Sequence, residues 1–199
     1  MELADVIGRR HMVRSFRDEP LPDGALDRIL EAARRAPSAG NTQGTELVVL
    51  EGPEETATYW DICLPADRRG TFRWPDLLAA PVLIVPLAAP GAYLARYAEP
   101  DKDGTGLGRS AADWPVPYWD IDAGFAAMLM LLTAVDLGLG ALFFGIFDHE
   151  RELLDRLGVP DELHAVGTVA VGQPASDRPG RSASRVRRTL GEVVHRGRW

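Results

Sequence analysis

Arginines near the two ends of the chain are the residues whose type and spacing first offer chemistry. Arg9-Arg10-His11-Met12-Val13-Arg14-Ser15-Phe16 follows a short predicted helix and contains no acid. In an extended segment, side chains two apart point the same way, which sets Arg10, Met12 and Arg14 on one face. Two planar guanidiniums so placed suit a phosphate, because each can donate paired, charge-assisted hydrogen bonds. Each such contact contributes roughly 1.5–3 kcal/mol when shielded from water. Near the other end, Arg185 and Arg187 repeat the alternation. Four arginines closing on one anion is the chemical reading. The plainer one is solvated surface cation, since Lys102 is the only lysine and arginine is the default base here.

Other candidates are weaker. Gly104, Gly106 and Gly108 alternate, but no strand precedes them and no Lys-Ser or Lys-Thr follows, so the run reads as loop and not as a phosphate cradle. His149 and His164 have no partners at ligand spacing, so no metal is expected. His195 reads as structural. Cys63 has no basic neighbour before Arg68, which argues against a reactive thiol. As the only cysteine, it also rules out an intrachain disulfide framework.

The elements that must position the arginines follow from periodicity. Residues 2–9 read as a short helix. Leu26, Ile29, Leu30 and Ala33 recur at helical spacing within a helix over 22–35. Ala36-Pro37-Ser38-Ala39-Gly40-Asn41 stops it in a turn-rich loop. Strands are expected at Glu46–Leu50, Pro81–Val85 and Val166–Val171, with a possible further strand at Leu190–Val194. Helices are expected from Pro53 to about Ala66 and over 149–157. Residues 99–117, rich in Gly and Pro, read as one long loop, the kind that often serves as an active-site lid. Residues 118–136 form the longest predicted helix, ended by Gly138. Apolar residues cover nearly all its faces, which implies burial on every side, and a dimer interface would supply the missing cover. The elements do not alternate regularly, so the fold class is α+β.

Length and charge limit the possible functions. A chain of 199 residues suits a single domain spanning 1–199. Its net charge of −7 disfavours nucleic acid as a partner. The apolar run Ile121–Val135 is too short to span a bilayer comfortably, so no membrane partner is expected. The opening Met1-Glu2-Leu3-Ala4-Asp5 does not read as a secretion signal. A cytoplasmic protein is the expectation.

Several blocks, in order, resemble the nitroreductase family: Ile7–Phe16; Leu26–Ala36 with Ala36-Pro37-Ser38-Ala39-Gly40-Asn41-Thr42-Gln43; Leu137–Ala141; Val169–Pro174; and Arg187–His195. The resemblance implies a central, mainly antiparallel sheet flanked by helices in an intertwined homodimer. It implies bound FMN, with NAD(P)H as reductant and a small nitroaromatic or quinone-type acceptor served by a ping-pong mechanism. Arg10, His11, Met12 and Arg14 match positions that hold the FMN phosphate and ribityl chain, with Met12 standing where serine is usual. Arg185 and Arg187 match the basic pair completing the phosphate site. Pro37, Ser38, Ala39 and Asn41 match a loop lying against the flavin, often from the partner subunit. Phe143, Phe144, Gly145 and Ile146 match the segment crossing the isoalloxazine, where a backbone N–H of Gly145 or Ile146 would donate to flavin N5. Arg73 aligns with a side chain reaching the pyrimidine edge. Gly44-Thr45 departs from the usual Pro-Trp. That departure, with the Trp114-bearing loop, leaves room for dehalogenating, flavin-fragmenting or dehydrogenase-type relatives, or for a non-catalytic flavin-sequestering protein.

Overall fold

The computed structural model describes residues 1–176, 180 and 184–199. In chain order the elements are α1 (Leu3–Arg9), α2 (Ala25–Arg34), β1 (Thr45–Glu51), α3 (Gly52–Cys63), α4 (Ala66–Arg69), β2 (Val82–Ala88), α5 (Pro90–Tyr97), α6 (Tyr118–Asp136), β3 (Gly140–Phe144), α7 (Glu150–Arg156), β4 (His164–Ala165), β5 (Thr168–Gly172) and α8 (Leu190–Val193). The strands form one sheet in the order β1-β2-β5-β3, with β4 beside β2. Every named pairing is antiparallel, so the α+β expectation holds.

Strand periodicity builds two cores from one sheet. Side chains alternate between faces along a strand. In β2, Val82 and Ile84 join a cluster with Ala25 and Ile29 of α2 and Ala126, Ala127 and Met130 of α6. Leu83, Val85 and Leu87 join the opposite cluster with Tyr59 and Trp60 of α3 and Leu153 and Leu154 of α7. Every residue of β2 is buried, which is why it reads as a continuous apolar run instead of an alternation. Each fully buried Val, Leu or Ile here contributes roughly 1.5–3 kcal/mol. Helix α6 is long and apolar enough to cross a bilayer by length and composition alone. In this fold it packs on α2 and on strands β1, β2, β3 and β5.

Gly138, at φ 74°, ends α6 as expected. The amide of Leu139 donates to the Ala134 carbonyl at 2.8 Å, closing the last turn. Beyond it, Gly140 of β3 pairs with Gly172 of β5. A side-chain carbon at Gly140 would lie 2.9 Å from Val13, and one at Gly172 would lie 2.9 Å from Phe16. These two glycines therefore admit the N-terminal segment onto the sheet. Val13 N–H donates to Ala141 O at 3.0 Å, Arg17 N–H to Gln173 O at 2.9 Å, and Ala175 N–H to Ser15 O at 3.0 Å. The first basic cluster is thus fixed beside β3.

Two expectations need correction. Residues 190–193 form the short helix α8 and not a strand. Thr189 and Glu192 make a capping box there, a local signal that outweighs the β-branched run. Helix α6 leaves one side uncovered in the single chain, where Tyr118, Ile121, Phe125 and Met128 are exposed, the side the expected dimer interface would cover. Residues 99–117 are not one irregular loop. They contain two 3-10 turns, Asp103–Thr105 and Ala111–Asp113, and Trp114 is buried with Tyr93 and Trp119 in a third cluster. The sequence reading missed the short α4 and β4, helix α5, and β3, which opens on Gly140.

Candidate functional site

Arg14 is the junction of the site. Its guanidinium donates to the Met12 carbonyl at 3.0 Å and lies 5.4 Å from the centroid of the Trp74 ring. Arg73 lies over the same indole at 4.7 Å. Two cations separated by sixty residues of sequence therefore share one aromatic platform, whose π-face attracts both. The C-terminal segment also reaches this point: a side-chain carbon at Gly180 would sit 3.4 Å from an Arg14 guanidinium nitrogen.

Arg14 opens onto a cavity of about 430 Å³. Tyr59 and Trp60 of α3, Phe72, Trp74, and Phe144 of β3 give it an aromatic lining, and Gly145 and Ile146 border it. Trp60 and Phe144 stack at 5.9 Å with planes 3° apart. Tyr59 meets Trp60 edge-on at 5.0 Å, and its hydroxyl pairs with the Thr168 hydroxyl at 2.9 Å. Burial holds the Tyr59 phenol well above its ordinary pKa. Burial likewise pushes the Cys63 thiol, also in the lining, up to about 11, so it remains protonated at neutral pH. Arg68 and Asp148 complete the charged lining and pair at 3.7 Å. The indole N–H of Trp60 is the one buried side-chain polar atom without a partner among the described residues.

The other predicted residues take distinct positions. Arg10 is half-buried and His11 exposed, with His11 Nδ1 3.0 Å from the Arg9 carbonyl. Met12 packs against both main cores, and its sulfur accepts the Phe143 amide at 3.5 Å. A residue expected only to face a ligand thus also ties the basic segment to β3. Phe143 points to the other face, into a groove with Asp120, Gly124 and His164. In that groove, His164 Nε2 lies 2.6 Å from Asp120 Oδ1. The exit of β3 is shaped by Gly167, at φ 148°, where a side-chain carbon would meet the Phe143 ring at 2.7 Å.

Pro37 and Ser38 line a separate groove of about 580 Å³ between α2 and β1. The adjoining turn, Ala39–Asn41, is held by Asp122, which accepts the Ala39 amide at 2.8 Å. Arg185 and Arg187 are exposed, while Arg178 and Arg181 of the same basic cluster lie outside the described residues. One chain therefore gathers Arg14, Phe144, Gly145 and Ile146 around the Trp74 cavity, with Arg73 over the Trp74 ring. It leaves the 37–41 loop in another groove. Sequence reasoning missed Tyr59, Trp60 and Trp74; the available signal was aromatic density on α3 and the Arg73-Trp74 pair.

A cationic platform beside an aromatic slot suits a flat ring bearing an anionic tail. Comparison with known proteins agrees with this. The Nitroreductase family model matches residues 7–173. A Thermus thermophilus protein named NADH dehydrogenase is 31% identical over 187 residues, covering 85% of each chain. A putative NADH dehydrogenase/NAD(P)H nitroreductase from Archaeoglobus fulgidus is 26% identical over 202 residues, covering 100% of this chain and 99% of that one. The crystal structure of a putative nitroreductase in complex with FMN from Desulfovibrio desulfuricans superposes with a TM-score of 0.69 at 26% identity, covering 98% of this chain and 95% of that one. The chain belongs to the Nitroreductase family and is an oxidoreductase.

Proposed function

We propose that this chain binds FMN and passes reducing equivalents from NAD(P)H to a small organic acceptor of nitroaromatic or quinone type, by a ping-pong mechanism, as a homodimer of single-domain subunits spanning 1–199. The observation that carries this reading is Arg14 at an aromatic cavity that Gly145 and Ile146 also line. The FMN complex of the D. desulfuricans relative supports the choice of cofactor. FMN, when bound, supplies the acceptance and donation of hydride.

The chain's residues bind and orient. Arg10 and Arg14 hold the phosphate, and Arg185 and Arg187 add to its charge. Arg73 would serve the pyrimidine edge and Phe144 would flank the ring, while Phe143 lies on the other face of the sheet. An amide N–H of Gly145 or Ile146 would donate to flavin N5. Met12 offers packing where the family has a hydroxyl, so its share of phosphate binding falls to the arginines. Ser38, Ala39 and Asn41 serve the partner's flavin. The separation of the two grooves in one chain supports that assignment, as does the uncovered apolar stripe on α6.

Steady-state kinetics with NAD(P)H and menadione tests the mechanism. Parallel double-reciprocal lines are expected, because one site serves donor and acceptor in turn. Intersecting lines would contradict it.

A further inference from the structure

The loop expected to touch the flavin is held in an unfavourable backbone conformation. Gly40, Asn41 and Gln43 all have positive φ, at 63°, 53° and 55°. Two of these carry side chains, for which the left-handed region is disfavoured and persists only where surroundings impose it. The surroundings here are specific. Asp122 of α6, 3% exposed, accepts the Ala39 amide at 2.8 Å and the Tyr93 hydroxyl at 2.7 Å on the same Oδ2. A buried carboxylate is tolerable only when so bonded. Arg96 Nε donates to the Gly40 carbonyl at 3.0 Å.

Space is used as tightly as polarity. A side-chain carbon at Gly44 would lie 2.6 Å from the Tyr93 ring, and one at Gly40 would lie 2.9 Å from the Tyr97 ring. Both tyrosines sit on α5 and are backed by residues 99–117. Trp114 meets Tyr97 edge-on at 4.6 Å and Tyr93 at 5.9 Å. Its indole N–H donates to the Leu107 carbonyl at 2.9 Å. Asp101 grips Arg96 through two bonds of 2.7 Å. Gly108 brings this segment against α5, since a side-chain carbon there would lie 2.5 Å from the Ala98 amide nitrogen.

From this geometry we infer that Asp122, Tyr93 and Arg96 are positioning residues for the 38–43 loop, and that residues 99–117 act as the buttress behind them and not as a lid. The inference rests on the proposed role of that loop at a partner's flavin. It also gives Gly44 a reason: the Tyr93 ring occupies the volume a larger residue would need.

The test uses the full-length protein with Tyr93→Phe, Asp122→Ala and Asp122→Asn. Amide exchange is followed by mass spectrometry, and FMN release by recovery of flavin fluorescence. Tyr93→Phe keeps the ring and removes one donor, and should speed both loop exchange at 39–44 and FMN release about tenfold. Asp122→Ala should exceed that, and Asp122→Asn, which can still accept both bonds, should recover most of it. Exchange in β2 and α6 should not change. Unaltered loop exchange overturns the inference, as does faster exchange with unaltered FMN release. If Asp122→Ala fails to fold, Tyr93→Phe decides. Wild-type protein that takes up no FMN would defeat the proposed function by itself, whereas the exchange data still decide whether these residues hold the loop.

Discussion

Helices cover both faces of the sheet, but the two faces meet the surface differently. On the α3 and α7 side, aromatic rings enclose a cavity with arginines at its border. On the α2 and α6 side, the outward face of α6 is left uncovered: Tyr118, Ile121, Phe125 and Met128 are exposed at helical spacing, and Leu3 and Ile7 of α1 are exposed too. An apolar stripe of this kind marks a protein interface. A cavity with charge at its border marks a small-molecule site. On the proposed function, one face serves a ligand and the other a second copy of the chain. On the same reading the site would be completed by a second subunit, since the 37–41 loop stands on the α2 and α6 side.

Charging the uncovered stripe is the most forceful way to break this contrast. Phe125→Glu should weaken self-association by about 2 kcal/mol or more, roughly thirtyfold in dissociation constant. Sizing with light scattering would then show a monomer where the wild type is a dimer. A wild-type monomer at micromolar concentration would remove the assignment of that face.

The opposite face is tested next. Arg14→Ala should lower FMN affinity by about 10- to 100-fold while leaving the circular dichroism spectrum unchanged. Full FMN occupancy in that variant would move the phosphate elsewhere.

The uneven legibility of the sequence has physical causes. The β2 strand was readable because burial on both faces demands an unbroken apolar run. The basic segment was readable because alternation in an extended chain places its side chains. What the sequence hid was mostly set by tertiary contact. Gly140 makes β3 look like a turn, yet it and Gly172 are there to admit Val13 and Phe16. Trp114 sits in a stretch of Gly and Pro that carries no period, so nothing local shows that it packs on Tyr93 and Tyr97. The Arg73–Trp74–Arg14 stack joins segments that no local pattern could connect. In the sequence the α6 stripe cannot be told from the buried faces of the helix, because its residues are as apolar; what separates them is what lies opposite.

Smaller effects sharpen the account of the aromatic face. Tyr59→Phe removes the partner of the buried Thr168 hydroxyl and should cost about 1 kcal/mol in thermal unfolding. No change would mean that the bond is not a net contributor. Cys63, raised by burial to about 11 from an ordinary 9.0, gives the smallest signal. Its unfolded form loses the proton first, so its contribution to stability is intact below about pH 9 and is lost as pH rises toward about 11. The rate of thiol labelling of the native protein should climb over that range. A plateau near pH 8 would contradict the burial of this side chain.

The central claim is that the aromatic cavity and its arginines serve a reducible flavin. An absorption spectrum taken anaerobically, before and after adding NADH or NADPH to protein loaded with FMN, tests it most directly. The account predicts flavin bands that bleach on addition of nicotinamide. Protein that retains no flavin bands after incubation with FMN, or bound flavin that neither nucleotide bleaches, would contradict it.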